Sequence, residues 1–132
     1  MTIQLSKGNI ILKLLNDEDA LMFYHLYHTE DKNGSAVTGN KTPLEFTRYI
    51  ISRCNDIFSI RLVDAPDIII GDCALHDWNA SKQEIEIGGT LLPQYQGKGI
   101  MKAAFELLIE RAQQQYSVKY IIAKTECCNV RA

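Results

Sequence analysis

The chain has 132 residues, of which 46% are apolar and 23% charged, with a net charge of −2. Residues 1–132 are read as one domain, because a chain of this size can bury roughly two-thirds of its unfolded surface in a single core. So small a net charge gives no reason for nucleic acid or an anionic membrane as a partner, and no apolar run approaches the roughly 20 residues of a membrane helix. "MTIQLSKGNIILKLLNDEDA" lacks the apolar core and cleavage site of a signal peptide, so the expected compartment is the cytoplasm. There Cys54, Cys73, Cys127 and Cys128 stay as thiols, and without a Cys-x-x-Cys pair they suggest no zinc. No metal is expected, and the adjacent Cys127 and Cys128 read as two small residues at a strand end.

"NIILKLLN" fits a first strand. In "NDEDALMFYHLYHTE", Asn16 or Asp17 can cap a helix on which Ala20, Phe23, Tyr24 and Tyr27 recur at helical spacing as a core stripe. "EDKNGSAVTGNKTP" is a polar loop, after which Thr42-Pro43 starts a second helix running to about Arg53. Ile57–Val63 alternates as a strand, "DAPD" turns, and Ile68–Leu75 completes a β-hairpin. "EIEIGGTLLP" is a fourth strand with a bulge expected at Gly88-Gly89. Met101, Ala104, Phe105, Leu108 and Ala112 then form an apolar stripe on a helix to about Gln115, with Lys102, Glu106, Glu110 and Gln113 on its wet side. "VKYIIAKTE" reads as a last strand of the buried type. The order is strand, two helices, three strands, helix, strand. It calls for a mixed α/β sheet with helices on its faces, in which only the final strand–helix–strand unit needs to be parallel.

Between the fourth strand and the third helix stands "LPQYQGKGIMK". The first amides of a helix lack internal partners and carry the positive end of its dipole, and glycines let a backbone come close to an anion. Lys98 and Lys102 stand beside the loop, either touching phosphates or only solvated. A P-loop pattern is absent, and Gly97-x-Gly99 is followed by Lys102 where a dinucleotide fingerprint needs its third glycine.

Gln94-x-x-Gly97-x-Gly99 resembles the acetyl-CoA pyrophosphate loop of the GNAT superfamily of N-acetyltransferases, Q/R-x-x-G-x-G/A. "EIEIGGTLLPQYQGKGIMKAAFELLIERA" matches the strand, loop and helix that carry it, and "IILKLLNDEDALMFYHL" looks like that family's first strand and helix. "IIIGDCAL" with "NASKQEIEIGGTLLPQYQGKG" is similar to the branch of ribosomal-protein N-terminal acetyltransferases. The resemblance implies a GNAT-like fold, a central mixed and mostly antiparallel sheet flanked by helices. It implies acetyl-CoA as co-substrate, held by Thr90, Leu91, Leu92, Gln94, Tyr95, Gln96, Gly97, Lys98, Gly99, Ile100 and Met101, with Asn129 facing the pantetheine arm. In the family a further helix and two strands follow that asparagine, and the helix often supplies the acid for the departing thiolate. Here the sequence stops at Ala132, so those elements are expected to be missing.

The activity so implied is transfer of acetyl from acetyl-CoA to a primary amine, on a protein N-terminus or a small molecule, by direct attack. The alternative is a catalytically impaired CoA-binding or structural fragment. Only a neutral amine attacks, and amines titrate from about 8 to about 10.4, so a base or water relay is needed. The family's splayed strand end polarises the thioester through backbone N–H groups, here around Thr90 to Leu92. Glu84 and Glu86 share one strand face, and Glu86 is the preferred base. Glu126 is a weaker candidate. His25 and His28 on the first helix are packed or surface residues, or line the acceptor pocket. His76 and Trp78 either line the acceptor side or pack at an edge. The acceptor itself has no readable code, and a homodimer is compatible with the sequence.

Overall fold

The computed structural model describes residues 3–30 and 38–123, and its first element is a strand that precedes the predicted first strand. β1 (Gln4–Lys7) and β2 (Ile10–Leu14) form a tight hairpin, with Lys7 opposite Ile10. Gly8 in the turn has φ +59°, a left-handed conformation that glycine adopts without a Cβ penalty. Then follow a 3-10 turn (Asp17–Asp19), α1 (Ala20–Glu30), α2 (Pro43–Arg53), β3 (Asp56–Leu62), β4 (Gly71–Asn79) and β5 (Glu84–Leu91). A second 3-10 turn (Pro93–Tyr95) leads to α3 (Ile100–Gln115) and β6 (Tyr120–Ala123).

The six strands lie side by side in chain order, antiparallel throughout except for the β5–β6 pair, which is parallel. Both predicted helix starts are capping boxes. Asn16 Oδ1 accepts the Glu18 N–H (2.8 Å) while Asp19 accepts the Asn16 N–H (3.2 Å). Thr42 Oγ1 accepts the Glu45 N–H (3.2 Å) while Glu45 accepts the Thr42 N–H (2.9 Å).

Period-two alternation divides the core between the two sheet faces. Ile10, Leu12, Phe58, Ile60, Cys73, Leu75, Ile85 and Ile87 pack against Ala104, Leu107, Leu108 and Ala112 of α3. The opposite face sets Ile57 and Ala74 against Phe23 and Leu26 of α1 and Phe46 of α2. The predicted stripe on α3 is buried at Ala104, Leu108 and Ala112, and its wet side is exposed at all four positions.

Three expectations need correction. No bulge falls at Gly88-Gly89: Ala74 pairs with Gly88 and Cys73 with Gly89 in unbroken register. A Cβ on Gly89 would lie 2.7 Å from the Asp72 carbonyl oxygen and 2.9 Å from the Met101 methyl, so Gly89 lets α3 approach the sheet. The irregularity lies instead on β4, between His76 and Asn79. Correspondingly, the hairpin's second strand runs Gly71–Asn79 rather than ending at Leu75. Finally, β6 is half-exposed, with Tyr120 61% accessible, because among the described strands it is paired on one side only.

Arg61 fastens the turn before α1 to the sheet. Its guanidinium donates to Asp19 Oδ1 (2.8 Å), Ser59 Oγ (3.0 Å) and the Pro66 carbonyl (3.1 Å). Both charged side chains are largely buried. Removing one partner of such a pair strands the other charge, whereas apolar replacement of both does not. Asp19→Ala should therefore cost about 3 kcal/mol in urea unfolding, and the double variant Asp19→Leu/Arg61→Met should recover most of that loss.

Candidate active site

The glycine loop is built as its residues require. β5 ends at Leu91, Leu92 is the N-cap of the 3-10 turn that Pro93 opens, and Gln96 reaches back so that its Nε2 donates to the Leu91 carbonyl (2.9 Å). Gly97 (φ +76°) and Gly99 (φ +79°) both take left-handed conformations, and Gly99 is the N-cap of α3. The first bond inside the helix runs from the Ala103 N–H to the Gly99 carbonyl (3.1 Å), and no side chain among the described residues caps the helix start. The amides of Ile100, Met101 and Lys102 therefore precede the internal ladder, at the positive end of the helix dipole. Among the described residues, a Cβ on Gly97 or Gly99 would meet nothing within 4 Å, so these leave the space above both glycines open.

These features fit a pyrophosphate: open backbone at two glycines, first-turn amides, and Lys98 and Lys102 exposed beside them. Gln94 lies exposed in the 3-10 turn, and Tyr95 is half-buried against the α3-side core. Ile100 is buried and Met101 packs beside Gly89, so these two residues can offer an anion only their backbone.

On β5 the amides divide. The Leu92 N–H donates to the Ile70 carbonyl (2.9 Å). Antiparallel ladders alternate, so Thr90, two residues back, also turns its amide toward β4. Leu91 turns its amide away, on the β6 side, where the described pairing ends at Ile87 and Ala123.

The sheet face covered by α1 carries the polar groups. Tyr27 donates its hydroxyl to Asp72 Oδ2 at 2.6 Å and stands 3.5 Å from Thr90 Oγ1. Sequence reasoning placed Tyr27 in the core stripe and missed this contact, because nothing local marks a tyrosine whose partner lies 45 residues away. Burial first, then the Asp72 charge, pushes the Tyr27 phenol well above its usual range. A raised folded value means the folded state keeps the proton, so stability falls as pH rises through the phenol range of the unfolded chain, from about 10. Urea midpoints should drop between about pH 9 and 11, and Tyr27→Phe should flatten that drop.

Further along this face, Glu86 sits opposite His76 and Glu84 opposite Asn79. His76 Nδ1 lies 2.7 Å from Asp77 Oδ2, and one ligand-type atom from each of His76, Asp77 and Glu86 falls within 4.8 Å of the others. Trp78 belongs to the opposite face, tilted against Tyr116 with ring centres 5.1 Å apart. His25 is exposed on α1. The side chain of His28, together with Glu126, Cys127, Cys128 and Asn129, lies outside the described residues. Neither described thiol is poised as a nucleophile. Burial, with Asp72 and Asp77, pushes Cys54 up to about 11, and burial holds Cys73 well above the usual thiol range.

The family model of the acetyltransferase (GNAT) domain matches residues 9–132. The chain belongs to the GNAT acetyltransferase family. As a GNAT protein it is an acetyl-CoA-dependent acetyltransferase, and its six-stranded mixed sheet is the GNAT fold. The ribosomal L7/L12 alpha-N-protein acetyltransferase RimL (apo form) superposes with a TM-score of 0.75 at 11% identity, over 93% of this chain and 71% of that one. The ribosomal-protein-S5-alanine acetyltransferase from Vibrio fischeri gives 0.70 at 18% identity, over 92% and 73%. The microcin C7 self-immunity acetyltransferase MccE, in complex with acetyl-CoA and AMP, gives 0.68 at 19% identity, over 89% and 69%. No curated protein sequence matches the chain. Among the described residues, no helix of this GNAT protein is long and apolar enough to cross a membrane.

Proposed function

We propose that the chain acetylates a primary amine, with a protein N-terminus as the preferred class of acceptor. The observation that carries this reading is the loop: two left-handed glycines leading into the uncapped start of α3, directly after the strand whose Leu91 amide turns away from its antiparallel neighbour. In the proposed arrangement Gln94 to Met101 surround the pyrophosphate of acetyl-CoA. The Leu91 amide donates to the thioester carbonyl, where charge develops during attack. Thr90 contributes its side chain from the opposite face, and Asn129 is kept as a pantetheine contact. Glu86 and Glu84 give the acceptor side its negative potential, which draws in an amine arriving as ammonium. RimL and the ribosomal-protein-S5-alanine enzyme, both described by their protein acceptors, support an N-terminus over a small amine. The proposed compartment is the cytoplasm.

Calorimetric titration of the chain with acetyl-CoA tests the site. Saturable binding that free CoA competes away supports it. A folded chain that does not bind acetyl-CoA contradicts it.

A further inference from the structure

β4 carries one more residue than regular pairing with β5 allows. His76 is opposite Glu86 and Asn79 is opposite Glu84, so Asp77 and Trp78 together face the single residue Ile85. Trp78 keeps the α3-side core position, and its backbone N–H donates to Asn55 Oδ1 (3.1 Å). Asp77 is the inserted residue, and it takes φ +55°, which is costly for a side chain with a Cβ. In a regular strand, neighbouring side chains point to opposite faces. The left-handed turn instead brings the Asp77 carboxylate to 2.7 Å from Nδ1 of the preceding histidine. The other ring nitrogen, Nε2, lies 3.7 Å from where a Gly88 Cβ would stand. Gly88 is two residues nearer the glycine loop than Glu86, so the missing side chain leaves a bed over which the ring leans toward the cofactor end. Backbone strain, a bulge and a glycine together aim one imidazole, held at Nδ1 and presented at Nε2.

We infer that His76 is the base that deprotonates the acceptor ammonium, with Asp77 as its positioning residue. This inference rests on the acetyl-transfer reading above and moves the proton acceptor from Glu86 to its cross-strand neighbour. The Asp77 carboxylate fixes the tautomer with hydrogen on Nδ1, leaving the Nε2 lone pair for the proton. With Nδ1 engaged, the Nε2 lone pair is the one proton acceptor left on the ring. His76 Nε2 takes one proton from R–NH3+, and the amine lone pair then attacks the thioester carbonyl. The C–N bond forms, the C–S bond breaks with its electron pair on sulfur, and the amine's second proton leaves with that sulfur as CoA-SH. The imidazolium returns its proton to solvent between turnovers, flanked by Asp77 and Glu86.

The test uses the full chain and three variants, His76→Gln, Asp77→Gly and Glu86→Gln. Glycine removes the carboxylate and relieves the strain, so Asp77→Gly should melt at or above the wild-type temperature. Long-range nitrogen–proton NMR reads the tautomer, and the His76→Gln spectrum identifies this ring among the three histidines. The wild type should carry hydrogen on Nδ1, and Asp77→Gly should lose that preference. Hydrogen on Nε2 in the wild type, or no change in Asp77→Gly, overturns the dyad. Transfer is measured at saturating acetyl-CoA with peptides beginning with Ala, Ser, Thr, Gly or Met. His76→Gln should lose about 100-fold in kcat, Asp77→Gly about 10-fold and Glu86→Gln less than either. His76→Gln within about twofold of wild type overturns the assignment. So does transfer that a chelator abolishes and zinc restores, because the same three side chains would then be metal ligands. Calorimetry separates the two claims: a wild type that fails to bind acetyl-CoA sinks the acetyl-transfer reading, whereas binding and transfer without dependence on His76 sink the dyad alone.

Discussion

Replacing Gly97 and Gly99 together by aspartate should lower acetyl-CoA affinity by at least about 100-fold, while the paired asparagine variant loses much less. A Cβ at either position meets nothing within 4 Å among the described residues, so neither substitution clashes with them. The left-handed φ values cost about 1–2 kcal/mol per residue, a penalty that asparagine and aspartate share and bear better than other side chains. Asparagine and aspartate also have the same shape. The difference between the two double variants is therefore the charge facing a dianionic pyrophosphate at a helix N-terminus, where like charges repel and the helix dipole no longer compensates. Calorimetric titration of both with acetyl-CoA reads that difference directly. Equal affinities would show that the anion lies elsewhere.

Gly71→Val should be the most damaging single change to stability, about 3 kcal/mol or more, because the added side chain meets backbone of the neighbouring strand first, and backbone cannot swing aside. A Cβ there would stand 2.3 Å from the Thr90 carbonyl oxygen and 3.1 Å from the Leu91 Cα, both backbone atoms of the neighbouring strand. Relieving the clash means parting β4 from β5 at the Gly71–Leu91 and Asp72–Thr90 pairs. Those pairs aim the Leu91 amide and hold Asp72 under Tyr27, so binding and stability should fall together. Gly89→Val tests the same joint from the other strand. There part of the clash is with the flexible end of Met101, and the loss should be smaller. Urea unfolding of the two variants, read by circular dichroism, checks the order.

The elements with local signals were legible in the sequence. Thr42-Pro43 with Glu45 marks a helix start through capping chemistry alone, and the observed helix is Pro43–Arg53. The stripe and wet side of α3 follow from a period that only a helix satisfies. The glycine loop was legible because Gly97 and Gly99 are needed for their backbone, and left-handed φ is a demand that composition shows. What failed was long-range. Gly88-Gly89 resembles a bulge, but the reason for Gly89 is Met101, which approaches only once α3 has packed on the sheet. The true bulge at Asp77 arises because Trp78 has to reach the α3-side core while His76 and Asn79 stay on the other face. No window of β4 alone contains that conflict. Tyr27, Asp72 and Thr90 meet from three elements, and a sequence read in order has no means of bringing them together. The Ile3–Leu5 alternation before Gly8-Asn9 was a readable hairpin signal that the sequence reading passed over.

The most direct test of the account is to incubate the chain with acetyl-CoA and the peptide panel and look for the acetylated N-terminus by mass spectrometry. An acetylated peptide is expected, with a rate of formation that saturates with acetyl-CoA and vanishes in the Gly97→Asp/Gly99→Asp variant. A folded chain that binds acetyl-CoA yet acetylates neither a peptide N-terminus nor a small primary amine would contradict it. It would then be a CoA-binding domain without turnover.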